Sequence, residues 1–190
     1  MRTKTQNINP IYTVNPWKFI IWLFIISIIM LFAAFTSDYL VRRAEGNWTE
    51  FEIPVIFYIS AAVLLISSVT MHLSVKAAKA DNMARLRTLI SVTVAGGIAF
   101  LVLQVLGWQE LQKAGIYVKG NPAESFYYVL TGTHLFHIIT GLGVLLYAFY
   151  STFRGKINAG NTTQIEVCAT YWHFLDILWV YLFLFLIYFR

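Results

Sequence analysis

His134 and His137 lie three residues apart in "FYYVLTGTHLFHIITGLGVLLYAFY", residues 126–150, an otherwise lipid-like run. A second run, "IEVCATYWHFLDILW", carries Glu166, His173 and Asp176 at intervals of seven and three, with Trp172 beside the histidine. On a helix, residues three, four or seven apart share a face. Imidazoles and carboxylates in such a stripe suit four tasks. They can ligate a haem iron, relay protons, grip a phospholipid headgroup, or bond one helix to another. Burial in hydrocarbon requires that such groups pair inside the protein. The simplest arrangement sets the two histidines of the first run against Glu166 and Asp176 of the second.

The two runs belong to a chain built for a bilayer. Of its 190 residues, 58% are hydrophobic, 17% aromatic and only 12% charged, about half the charge of a soluble domain. The formal charge of +5 comes from Lys and Arg in short clusters between apolar runs, as in membrane proteins, so nucleic acid is not an expected partner. About 20 apolar residues cross the hydrocarbon core. Five stretches qualify, near 17–40, 53–75, 88–111, 124–151 and 164–189. They predict an all-α, polytopic membrane protein with one five-helix domain over 17–190. A polar, Pro-punctuated tail, 1–16, precedes it. The first stretch is too long for the core of a secretory signal.

Orientation follows from the basic residues. Arg2, Lys4, Lys18, Lys76, Lys79, Arg85, Arg87, Arg154 and Lys156 fall on one side; Arg42, Arg43, Lys113, Lys119 and Arg190 fall on the other. Nine against five places the N-terminus in the cytoplasm and the C-terminus outside. His72 and Asp38, near helix ends, can reach toward the interface. The lone Cys168 leaves no internal disulfide and no multi-cysteine metal site.

A bis-histidine haem needs imidazoles on facing helices at one depth. His137 and His173 differ in depth by about five residues, roughly 7 Å at the rise of a helix, which disfavours such a haem b site. No zinc-protease motif, nucleophile elbow or phosphate-binding glycine loop is present. Gly96-Gly97 reads as a point of close helix approach. Trp172 and Trp179, seven apart, read as core packing or as contacts with a lipid tail or partner. A proton relay through Glu166 and Asp176 in a small transporter is the remaining reading.

The same residues carry a resemblance. Phe126, Tyr128, Leu130, Thr131, Gly132, His134, His137 and Gly141, followed by Glu166, Tyr171, Trp172, His173, Phe174, Asp176 and Trp179, resemble the paired motifs of subunit III of haem–copper terminal oxidases. "WLFIISIIMLFAAF", "SSVTM" and "QVLGWQEL" are similar to earlier parts of that family, so the likeness runs from Trp17 onward. The resemblance implies the short five-helix form of a non-catalytic subunit. Such a subunit packs on subunits I and II of a cytochrome c oxidase or quinol oxidase in the bacterial inner membrane. It carries no haem, copper or other redox centre, since these sit in partner subunits. It holds phospholipids in a V-shaped cleft and supports proton uptake and stability during oxygen reduction and proton pumping. A respiratory supercomplex with the electron-donor complex is a further expected partner. On this reading His134, His137, Glu166, Trp172, His173 and Asp176 are lipid-cleft or helix-packing groups, with no catalytic and no metal-binding residue. One departure stands out. The family usually has a glutamate directly after the serine of the first helix, and here Ile28 follows Ser27. Isoleucine cannot titrate, so no proton-handling role carries over at that position.

Overall fold

A computed structural model describes residues 15–46, 48 and 51–189. Most of the expected N-terminal tail, with Arg2, Lys4 and the last residue Arg190, lies outside the described residues. Five helices follow one another: α1 (Pro16–Ala44), α2 (Val55–Lys79), α3 (Met83–Lys113), α4 (Pro122–Phe153) and α5 (Thr163–Phe189). All five are long and apolar enough to cross a membrane. The fold class expected from the sequence is the one observed.

The helices outrun their apolar stretches because caps, not hydropathy, set their ends. Asn15, Asn82 and Asn121 each accept a hydrogen bond from a backbone N–H of the following first turn, at 3.1, 3.1 and 3.0 Å. Asparagine is a favoured cap for this reason, and Pro16 and Pro122 sit where a missing N–H costs nothing. α2, α3 and α4 close on left-handed residues, Asp81 (φ 54°), Gly115 (φ 84°) and Gly155 (φ 68°). The next N–H then returns to a carbonyl five residues back, as Asn82 does to Ala77, Ile116 to Leu111 and Lys156 to Ser151, each at 3.0 Å. Asp81 tolerates this conformation better than a bulky residue. Its carboxylate also accepts from the Ala159 N–H at 3.2 Å, tying the α2–α3 turn to the α4–α5 loop.

Buried positions on α3 are Leu86, Ile90, Thr93, Gly97, Phe100, Gln104, Gly107 and Leu111, alternating steps of four and three. α2 buries Phe57, Ser60, Leu64, Ser67, Met71 and Ser74 at matching steps. This is the seam of a closely packed antiparallel pair. Around it α2, α3, α4 and α5 form a closed ring, each touching the next, and α1 lies outside in the groove between α4 and α5. α1 makes no close approach to α2 or α3. The buried share of the apolar window rises from 22% in α1 to 44% in α5, so α5 is the central helix.

Because lipid is as apolar as leucine, packing and polar contacts hold such bundles together. Nearly every neighbouring pair has a polar tie. Thr70 and Thr93 hydroxyls meet at 2.9 Å, Gln104 donates to Ser60 at 3.1 Å, and the Trp108 indole donates to Thr131 at 3.2 Å. Thr140 and Tyr171 join α4 to α5 at 2.9 Å, and Tyr181 donates to Thr36 of α1 at 3.3 Å.

Candidate functional site

α5 presents two faces, one carrying Trp172, Leu175 and Trp179, the other keeping the stripe of Glu166, His173 and Asp176 together. The first packs on α3 and α4. Trp172, 1% exposed, donates its indole N–H to Ser67 Oγ at 3.2 Å. Its ring fills the notch left by Gly97, where a Cβ would stand 2.7 Å from the indole. Gly141 makes the matching notch for Leu175, with 2.6 Å to the same imagined atom. His134 is fully buried and stacks on Trp179, with ring centroids 5.0 Å apart and planes at 26°. The edges of Phe32 and Phe100 close around it. Neither of its ring nitrogens has a hydrogen-bond partner among the described residues. His137 turns toward α1, its ring 5.7 Å from Phe32. Its Nδ1 lies 2.8 Å from the Thr133 carbonyl. A carbonyl only accepts, so Nδ1 carries the proton.

The second face of α5 looks into the gap between α1 and α2. Glu166, in the first turn, is bridged by two lysines from different helices. Lys18 Nζ of α1 reaches Oε2 at 2.7 Å, and Lys79 Nζ of α2 reaches Oε1 at 3.0 Å. Thr162 also donates to Oε1, at 3.2 Å. Two turns deeper, His173 Nδ1 meets the Ser68 hydroxyl of α2 at 2.7 Å, and the His72 ring lies 6.2 Å away. His173 Nδ1 stands 3.9 Å from Asp176 Oδ2. Asp176 is 2% exposed and otherwise makes no hydrogen bond of good geometry among the described residues. A cavity of about 390 Å³ opens here, between Lys18 and Trp22 of α1, His72 of α2, and Glu166, Thr170 and His173 of α5.

The expected pairing of helix-four imidazoles with helix-five carboxylates is therefore corrected. A stripe of 166, 173 and 176 faces α2, because α4 packs against Tyr171, Trp172 and Leu175, which centre about 140° around the same helix. The α4 histidines meet aromatic rings, and Glu166 meets lysines. His137 and His173, the pair weighed for a haem, look toward α1 and α2 respectively. No group of three or more His, Cys, Asp or Glu is placed to hold a metal ion among the described residues. Ile28, at the position of the usual family glutamate, is 2% exposed in the apolar core, an environment that suits a side chain with nothing to pair.

Sequence reading missed Lys18, Lys79 and Ser68 as partners, and read His72 as a helix-end group alone. A signal was present on α2. Ser68, His72, Val75 and Lys79 recur at steps of four, three and four, one polar-edged face aimed at α5.

The geometry describes a helical membrane protein with polar groups turned to neighbouring helices and to one cleft. Comparison with known proteins supplies the rest. The profile of the family described as cytochrome c oxidase subunit III matches residues 11–190. A probable cytochrome c oxidase subunit 3 of Nocardia farcinica is 33% identical over 170 residues, covering 86% of this chain and 82% of that one. Cytochrome c oxidase subunit 3 of Bacillus sp. strain PS3 is 29% identical over 167 residues, covering 85% and 80%. A probable quinol oxidase subunit 3 of Staphylococcus haemolyticus is 25% identical over 168 residues, covering 85% and 83%. With five spanning-type helices in the bundle and a family match over nearly its whole length, the chain belongs to the cytochrome c oxidase subunit III family.

Proposed function

We propose that this chain is the non-catalytic third subunit of a bacterial respiratory haem–copper oxidase, packing on subunit I in an assembly that includes subunit II. Haem and copper belong to those partners. Its own contribution is mechanical and electrostatic. It braces the catalytic subunit, keeps phospholipid in the cleft between α1, α2 and α5, and supports proton uptake during turnover. The observation that carries the reading is the family match over residues 11–190. The cleft supports the lipid part, since it combines an apolar wall, Ile21 and Val75, with Lys18 in the first turn of α1, where headgroups sit, and with His72 and His173 deeper in.

Cytochrome c is the electron donor we favour, because the relatives of 33% and 29% identity carry that name. A quinol donor is the second reading, supported by the relative of 25% identity named for it. The inner membrane, with the N-terminus cytoplasmic, is the location that the distribution of Lys and Arg supports. A supercomplex with the donor complex extends the same proposal.

Affinity purification of the tagged chain from a mild-detergent extract tests it. Mass spectrometry is expected to find oxidase subunits I and II, with haem absorbance that follows those subunits. Recovery in a stable assembly lacking both would sink the proposal, as would a haem band on the isolated chain that vanishes in His173→Ala.

A further inference from the structure

The cleft of the preceding reading has a feature that simple headgroup binding does not require. Its basic groups are already occupied, by a carboxylate of the same chain. Glu166 offers one oxygen to Lys18 and the other to Lys79. A phosphate presents the same pair of acceptor oxygens to the same two cations.

The surroundings make this contact a fastening as well as a pairing. The first buried residue of α1 is Ile25. Between Pro16 and Phe24 the described polar tie of α1 to another helix is Lys18–Glu166. α1 makes no close approach to α2, so Glu166 spans the gap between them through its two lysines. Both lysine side chains are about half exposed, at 49% and 58%. Ion pairs of that exposure are weak and screened by salt, and so can open.

We propose that Glu166 is a built-in competitor for a phosphate-bearing anion, and that its pairs with Lys18 and Lys79 form a latch on the first turns of α1. An arriving phosphate takes the lysines and Glu166 is released, so the start of α1 is no longer fastened to α5 and moves outward to make room for the phosphate, which widens the cavity. This rests on the lipid-cleft reading and adds its regulation.

The test uses the full-length protein in nanodiscs, with Cys168→Ala and spin labels at positions 23 and 69. Leu23 and Val69 are exposed, 52% and 60%, on α1 and α2. Phosphatidylglycerol retained per chain and the label separation are read together. In Glu166→Gln, retention is expected to rise about threefold, the size of effect an exposed ion pair can exert, and the separation to widen. Lys18→Gln with Lys79→Gln is expected to abolish the rise. Widening with phosphatidylglycerol but not with inorganic phosphate in phosphatidylcholine discs supports a lipid source. Widening with inorganic phosphate alone supports the latch and assigns it to a soluble anion. Retention in Glu166→Gln equal to or below that of the parent, with the labels unmoved, overturns the latch and leaves lipid binding standing. No phospholipid retained by the parent or any variant overturns both readings.

Discussion

His134 and His173 are the same residue type, on adjacent helices of one bundle, and they are held in opposite ways. His134 lies in the ring of helices, stacked on Trp179 and edged by Phe32 and Phe100, with neither nitrogen hydrogen-bonded among the described residues. His173 lies at the cleft, bonded to Ser68 and close to Asp176 and His72. In the interior an imidazole serves as a flat ring. At the cleft it serves as a polar group. Family resemblance treats the two alike, and only their neighbours tell them apart.

The interior half of the contrast is the more costly to disturb. Trp172→Ala removes a ring that fills the Gly97 notch and leaves Ser67 without its indole donor. We expect a loss of about 3 kcal/mol, typical of emptying a buried aromatic site, measured by unfolding in mixed micelles. A loss below about 1 kcal/mol would mean that the interior is looser than its geometry implies.

His134 sharpens the comparison further. His134→Ala should cost about 2 kcal/mol through lost packing. His134→Phe should cost far less, about 1 kcal/mol or under, since it keeps the stack and removes two unbonded polar atoms. In the intact lipid-filled oxidase, both variants should weaken subunit association more than oxygen turnover. If Phe is as damaging as Ala, the ring nitrogens have a polar role and the two regions are not opposites.

Smaller effects belong to the cleft. Ser68→Ala removes the hydroxyl that orients His173, for an expected loss of about 1 kcal/mol. Solid-state NMR of a labelled His173 ring should report a freed Nδ1 in that variant. An unchanged nitrogen signal would break the account of the cleft histidine. His173→Ala should lower lipid retention while leaving helix packing near that of the parent, the reverse of Trp172→Ala.

Much of the fold was legible because lipid demands it. Apolar stretches of about 20 residues and short connections leave little choice but five helices. The ends were less legible, since Asn82 starts α3 well before the apolar run does. At the site the residue list was readable and the partners were not. Glu166, His173 and Asp176 do share a stripe, but a stripe has no stated direction. Lys18 is separated from Glu166 by 148 positions, and Ser68 from His173 by 105. No local pattern encodes pairings across such distances.

The amino-acid sequence by itself determined that the chain crosses a membrane five times and that its polar spans carry the subunit III motifs. Hydrophobic length and residue spacing are local properties, and locality is what a sequence displays. Tertiary structure alone decided that α5 turns Trp172 and Trp179 toward α3 and α4 and its charges toward the α1–α2 gap. The rotation of a helix about its axis is fixed by close packing, here by Gly97 admitting Trp172 and Gly141 admitting Leu175. Those two notches set which way every other side chain on that helix points.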